Sequence, residues 1–230
     1  MDTSQQPRDE NKITHKNSLF LSWCILLALC FAFVSAAPAA AGPNPAKYDK
    51  AIRDMGQLQK SKKRLQREPW EKLAETFLTV YRVEKKWKER SAALFRSAEA
   101  LDHLARCASN AKDARRSVDR YLQLVRLYPK SSLADDSLCA IAEKMLCQLE
   151  QRAARSGYQL HHTPRVGQAL AAKARSAYGA RELRRAVHRA VEQALADQIA
   201  SGTACVGQHW TADCSADGAI VLREDETATL

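Results

Sequence analysis

Histidines and cysteines are the residues of this chain with the most chemistry to offer, and their spacing decides what chemistry that would be. A hydrolytic zinc needs ligands at close helical or loop spacing, such as two histidines one turn apart with an acid beside them. His103 lies beside an apolar helical face, His161 and His162 in a loop, His188 on a basic helix and His209 in the C-terminal tail. No pair of them has that helical spacing. Beyond residue 41 the cysteines are Cys107, Cys139, Cys147, Cys205 and Cys214, an odd set. Cys139 and Cys147 sit on one helix about 12 Å apart by helical rise, too far to bridge. Cys205 and Cys214 could pair, and His209 between them raises a metal site as an alternative, but no Cys-x-x-Cys supports it. The residues therefore predict no catalytic group, no metal and no cofactor. What remains is charge: Arg181, Arg184, Arg185 and Arg189 crowd into little more than two helical turns with Glu182 as the one acid among them, a candidate surface for anions or an acidic partner.

The elements that must carry these residues are helical. The chain has 230 residues, a net charge of +10 and few glycines or prolines. Helix formers dominate, and the clusters of β-branched and aromatic residues that mark strands are nearly absent before the tail. The expected class is all-α.

Compartment is read from the N-terminus. Leu19 to Val34 is uncharged and apolar, follows Lys12 and Lys16, and precedes "SAAPAAAG". That is the form of a secretory signal occupying residues 1–41, with an uncleaved anchor as the alternative. The expected location is periplasmic, or anchored in the inner membrane facing the periplasm. There a basic protein meets envelope proteins, peptidoglycan or anionic lipid rather than nucleic acid.

A linker and basic helix occupy residues 42–68. Residues 69–156 then read as helical hairpins: Trp70 opens a regular apolar face, Asn110 is placed to cap a later helix, and Tyr128-Pro129 stops it before Ser131 or Ser132 caps the next. Taking Pro129 as the close of a unit of about 34 residues puts Leu101, Leu104, Ala105 and Ala108 on its first helix and Ser117, Tyr121 and Leu124 on its second. Leu138, Cys139 and Ala142 then fall on the equivalent face of the following helix. Residues 163–200 form a basic amphipathic helix, either capping the array or lying on an anionic surface. The tail 201–230 reads as mostly disordered.

On these residues the segment 70–146, with "ALFRSAEALDHLA" before "SVDRYLQLVRLYPKSSLADDSL", resembles the tetratricopeptide modules of exported bacterial envelope proteins. It is most similar to the non-catalytic N-terminal region of delta-proteobacterial periplasmic N-acetylmuramoyl-L-alanine amidases. The resemblance implies an αα-solenoid that binds protein or cell-wall partners without catalysis. The alternative is the scaffold portion of a zinc amidase whose catalytic domain is absent from this chain.

Overall fold

A computed structural model describes residues 45–108, 110–174 and 179–225. The proposed signal segment, residues 1–41, lies outside them. No described helix is long and apolar enough to cross a membrane.

The first half is a run of helices: α1 (Pro45–Lys60), a 3₁₀ turn (Lys62–Leu65), α2 (Arg67–Val83), α3 (Trp87–Ala108) and α4 (Ala111–Leu127). Each boundary has a local cause. Asn110 Oδ1 accepts the Lys112 backbone N–H at 2.9 Å, which satisfies one of the orphan donors of α4. Tyr128 ends that helix, since the residue before a proline is pushed out of helical geometry. Ser131 Oγ then accepts from Leu133 N at 3.3 Å and starts α5 (Ser132–Arg155). Links of a few residues leave consecutive helices little choice but to pack antiparallel, and α2 through α5 do pack in sequence order. Two apolar clusters hold the run together: Trp70, Phe77, Leu101 and Leu104 with α1, and Leu78, Leu94, Leu124 and Tyr128 with the start of α5.

One buried acid ties α2 to α4. Asp113, 1 % exposed, accepts hydrogen bonds from Arg67 and, at 3.2 Å, from Arg116. The Arg67 guanidinium holds its carboxyl below the usual carboxylate range. Its place in the first turn of α4 also complements the helix dipole.

The expected helical class holds broadly, and the second half adds a small sheet to it. After α5 come β1 (Gln159–His162), α6 (Pro164–Lys173), α7 (Gly179–Val187), one π-helical turn (His188–Glu192), α8 (Gln193–Ala200), β2 (His209–Cys214) and β3 (Ile220–Glu224). The strands form one sheet in the order β1-β2-β3. β1 runs parallel to β2 with Leu160 opposite Trp210, and β2 runs antiparallel to β3 with Ala212 opposite Leu222. The molecule is thus mainly helical with a small mixed sheet.

The tail expected to be disordered supplies two of these strands. They are short and mixed in polarity, with "HWTADC" alternating partly buried and buried positions, and a run of that length carries too little periodicity to be told from coil. The helix expected over 163–200 is likewise divided. α6 ends at Lys173, and α7 begins at the buried Gly179, where an added Cβ would stand 3.3 Å from Val125 and 3.4 Å from Leu138.

Candidate functional site

The α5 helix presents Glu143, Cys147 and Glu150 at positions that share one face. Against that face stands His162, the last residue of β1, with only 10 % of its side chain exposed. Its Nε2 lies 2.8 Å from Glu143 Oε2 and its Nδ1 lies 2.7 Å from Glu150 Oε1. Both ring nitrogens can donate at once only in the imidazolium form. Burial pushes the His162 pKa down, but the hydrogen bonds it donates to Glu143 and Glu150 carry the balance above the ordinary histidine value. Gly167 on α6 makes room for this arrangement, since a Cβ there would collide with the Glu143 carboxylate. A second polar tie lies on the α3 side of α5, where buried Asp102 accepts from Lys144 and, at 2.5 Å, from Arg106. Burial lowers the Lys144 pKa.

This site can hold a proton and clamp a strand to a helix. With both nitrogens occupied, His162 has no free position for a general base, nucleophile or metal. Its consequence is a pH dependence of stability. The folded pKa lies above the unfolded value of about 6.5, so the stabilisation is complete below about pH 6.5 and is lost as pH rises through the raised folded value. Urea midpoints measured across that range should therefore fall with rising pH in the natural chain relative to His162→Gln. Parallel pH profiles for the two would refute the clamp.

The other histidines are placed separately. His103 stacks on Trp70 with ring centroids 4.2 Å apart, and burial lowers its pKa. His161 and His209 face each other across β1 and β2 at 6.2 Å, and His188 Nδ1 lies 3.0 Å from Glu192. Among the described residues no group of three histidines, cysteines or acids is arranged to hold a metal ion. Cys205 and Cys214, the candidate disulfide, carry free thiols.

The four arginines behave as a surface. Leu183, Val187, Val191 and Leu195 turn inward as the apolar edge of the α7–α8 helix, while Arg181, Arg184, Arg185 and Arg189 are exposed. Arg185 pairs with Glu182 at 2.9 Å. Arg181, Arg184 and Arg189 form no ion pair among the described residues.

Of the residues assigned to repeat packing, Trp70, Leu101, Leu104, Ala105, Ser117, Tyr121, Leu124, Leu138 and Ala142 are buried, Cys139 is half-buried and Pro129 is exposed. Ala108 is the last residue of α3. The His162 clamp was missed, because Glu143 and Glu150 are linked to it only through the fold.

Comparison with known proteins gives these positions a different setting. The family model of the C-terminal, D2-small domain of ClpB protein matches residues 133–212. A curated relative, the ATP-dependent Clp protease ATP-binding subunit ClpA homolog of Pyropia yezoensis, is 35% identical over 91 residues, which is 39% of this chain and 11% of that protein. The chain thus spans about a tenth of the length of that relative. These matches overturn the resemblance to tetratricopeptide modules and amidases. The non-catalytic envelope scaffold, the amidase fragment and the peptidoglycan, envelope-protein or anionic-membrane partners fall with it. The physical reason is that the features behind the resemblance (small residues at helix crossings, a Tyr-Pro stop and a serine-capped restart) serve any packed helical hairpin.

Proposed function

We propose that this chain is a non-catalytic accessory of a Clp-type ATP-driven machine, in which residues 133–212 act as a small domain docked against an ATP-binding domain. The observation that carries this reading is a coincidence of boundaries. The matched span runs from the start of α5 to β2, and with few exceptions it contains the buried residues of the largest apolar cluster, Leu138 to Ala212. The match therefore follows a physical unit with its own core rather than an arbitrary window.

The relative's name describes an ATP-binding subunit. These 230 residues contain no Gly-x-x-x-x-Gly-Lys-Ser/Thr, the loop whose backbone amides cradle nucleotide phosphates. In this reading the nucleotide is held chiefly by a neighbouring domain. The exposed guanidiniums of Arg181, Arg184, Arg185 and Arg189 are the groups of this module suited to an anionic neighbour, phosphates included. The leader reading of residues 1–41 is kept as part of the proposal, so the module would act behind a targeting sequence.

The test is association. Size-exclusion chromatography with light scattering, on the full chain mixed with a Clp-type ATPase of its own organism, should show co-elution that depends on a slowly hydrolysed ATP analogue. Replacing the four arginines with glutamine should weaken it, and the chain alone should release no phosphate from ATP. Separate elution under every nucleotide condition would remove the reading, and so would steady ATP turnover by the isolated chain.

A further inference from the structure

A groove of about 650 Å³ lies between α1 and α2, outside the residues matched to the Clp-type domain. It falls within the size range of ligand-binding clefts, about 300–1,000 Å³. Its floor is apolar, formed by the buried Ala51, Leu58 and Leu73. Its walls carry Lys47, Lys50, Lys63 and Lys72, with Asp54 as the one acid in the lining. Several other cations of the helical run have acidic partners: Arg67 and Arg116 on Asp113, Arg106 and Lys144 on Asp102, Arg96 on Glu99. The four groove lysines form no ion pair among the described residues. An apolar floor walled by uncompensated positive charge is an incomplete surface, and it specifies its own complement.

We propose that this groove binds an acidic amphipathic peptide segment of a partner protein, its carboxylates on the lysines and its aliphatic side chains on Ala51, Leu58 and Leu73. The lining disfavours two other anionic partners. Single-stranded nucleic acid is held by aromatic side chains on which bases stack, and no aromatic residue lines the groove. Lysine is a mobile point charge, suited to carboxylates whose spacing is not fixed in advance. A bilayer surface offers nothing shaped to fill a concave site, whereas one face of a short helix or strand does.

The probe is a fluorescein-labelled peptide of about 12 residues, or roughly 18 Å if helical, with glutamates flanking a leucine stripe, followed by anisotropy on the full chain. It should bind, and its Glu→Gln and Leu→Ser analogues should each bind about tenfold more weakly at about 0.15 M salt. The K50Q/K63Q/K72Q variant should lose affinity by about tenfold with its circular dichroism unchanged, while K50R/K63R/K72R keeps it. The proposal is overturned if the leucine-free peptide binds as well as the parent, since that is charge attraction alone. It is equally overturned if oligothymidylate or anionic vesicles bind more tightly than the peptide, if the glutamine variant binds unchanged, or if no peptide binds.

Discussion

Replacing Trp70 with alanine is expected to destabilise the protein by about 4 kcal/mol, as truncation of a large buried aromatic does. The side chain is 1 % exposed and sits where α1, α2 and α3 meet, among Met55, Leu58, Leu73, Phe77 and Leu104. Its ring stacks on His103 and its Nε1–H donates to the Arg64 carbonyl at 2.9 Å. Alanine removes the stacking surface and leaves a cavity that three helices cannot all close over. Trp70→Phe separates the contributions: it keeps most of the ring contact, leaves the Arg64 carbonyl with its other donor, Cys107 Sγ at 2.7 Å, and should cost about 1–1.5 kcal/mol. Urea melts of the three proteins are the measurement. An unchanged midpoint for the alanine variant would mean that α1 is not docked, and the lysine groove along it would lose its second wall.

The helical half was legible because its signals are local and strong. Asn110, Ser131 and the Tyr128-Pro129 stop mark boundaries that the structure reproduces, and the apolar spacing of Leu101, Leu104, Tyr121 and Leu124 identifies faces that are buried. What those faces pack against is a separate matter. A helix with Leu138, Ile141, Ala142 and Leu146 inward reads the same whether its partner is another hairpin or a sheet. In this fold α5 has both, with α4 along its start and β1, α6 and α7 along its remainder. Most residues selected by the repeat register are buried, but Cys139 is half-buried and Pro129 exposed, and the register rests on a family assignment that the comparisons overturn.

The candidate site was illegible for a different reason. His162 belongs to a four-residue strand whose pairing partner, β2, lies about 50 residues later in the chain. The carboxylates that clamp it come from a helix that precedes it. The three groups lie 12 and 19 residues apart on two different elements, a separation that carries no helical or motif spacing, so composition and spacing give each histidine the same bland reading. Asp113 shows the opposite case: an acid in the first turn of a helix is expected on dipole grounds, and only its burial between two arginines required the fold.

Trp210→Ala is the second large effect, at about 3–4 kcal/mol, and it tests the correction made to the tail. Trp210 is 4 % exposed in the central strand, opposite Leu160 of β1 and Glu224 of β3, and it packs into the cluster that includes Leu146, Val166, Leu170 and Val191. A disordered tail would lose nothing on truncation; a docked strand loses its largest anchor. The indole also carries a distinguishing mark, because its buried Nε1–H has no hydrogen-bond partner among the described residues. An orphaned buried donor costs free energy that an apolar ring of similar shape does not incur. Trp210→Phe should therefore fall within about 1 kcal/mol of the natural chain, unlike Trp70→Phe, which gives up a formed hydrogen bond. Chemical denaturation of Trp210→Ala and Trp210→Phe beside the natural chain decides the matter. If the alanine variant unfolds at the natural midpoint, β2 is not part of the core and the matched unit ends before it. If phenylalanine costs as much as alanine, the Nε1–H is satisfied in solution, and the contribution of Trp210 is a hydrogen bond rather than packing.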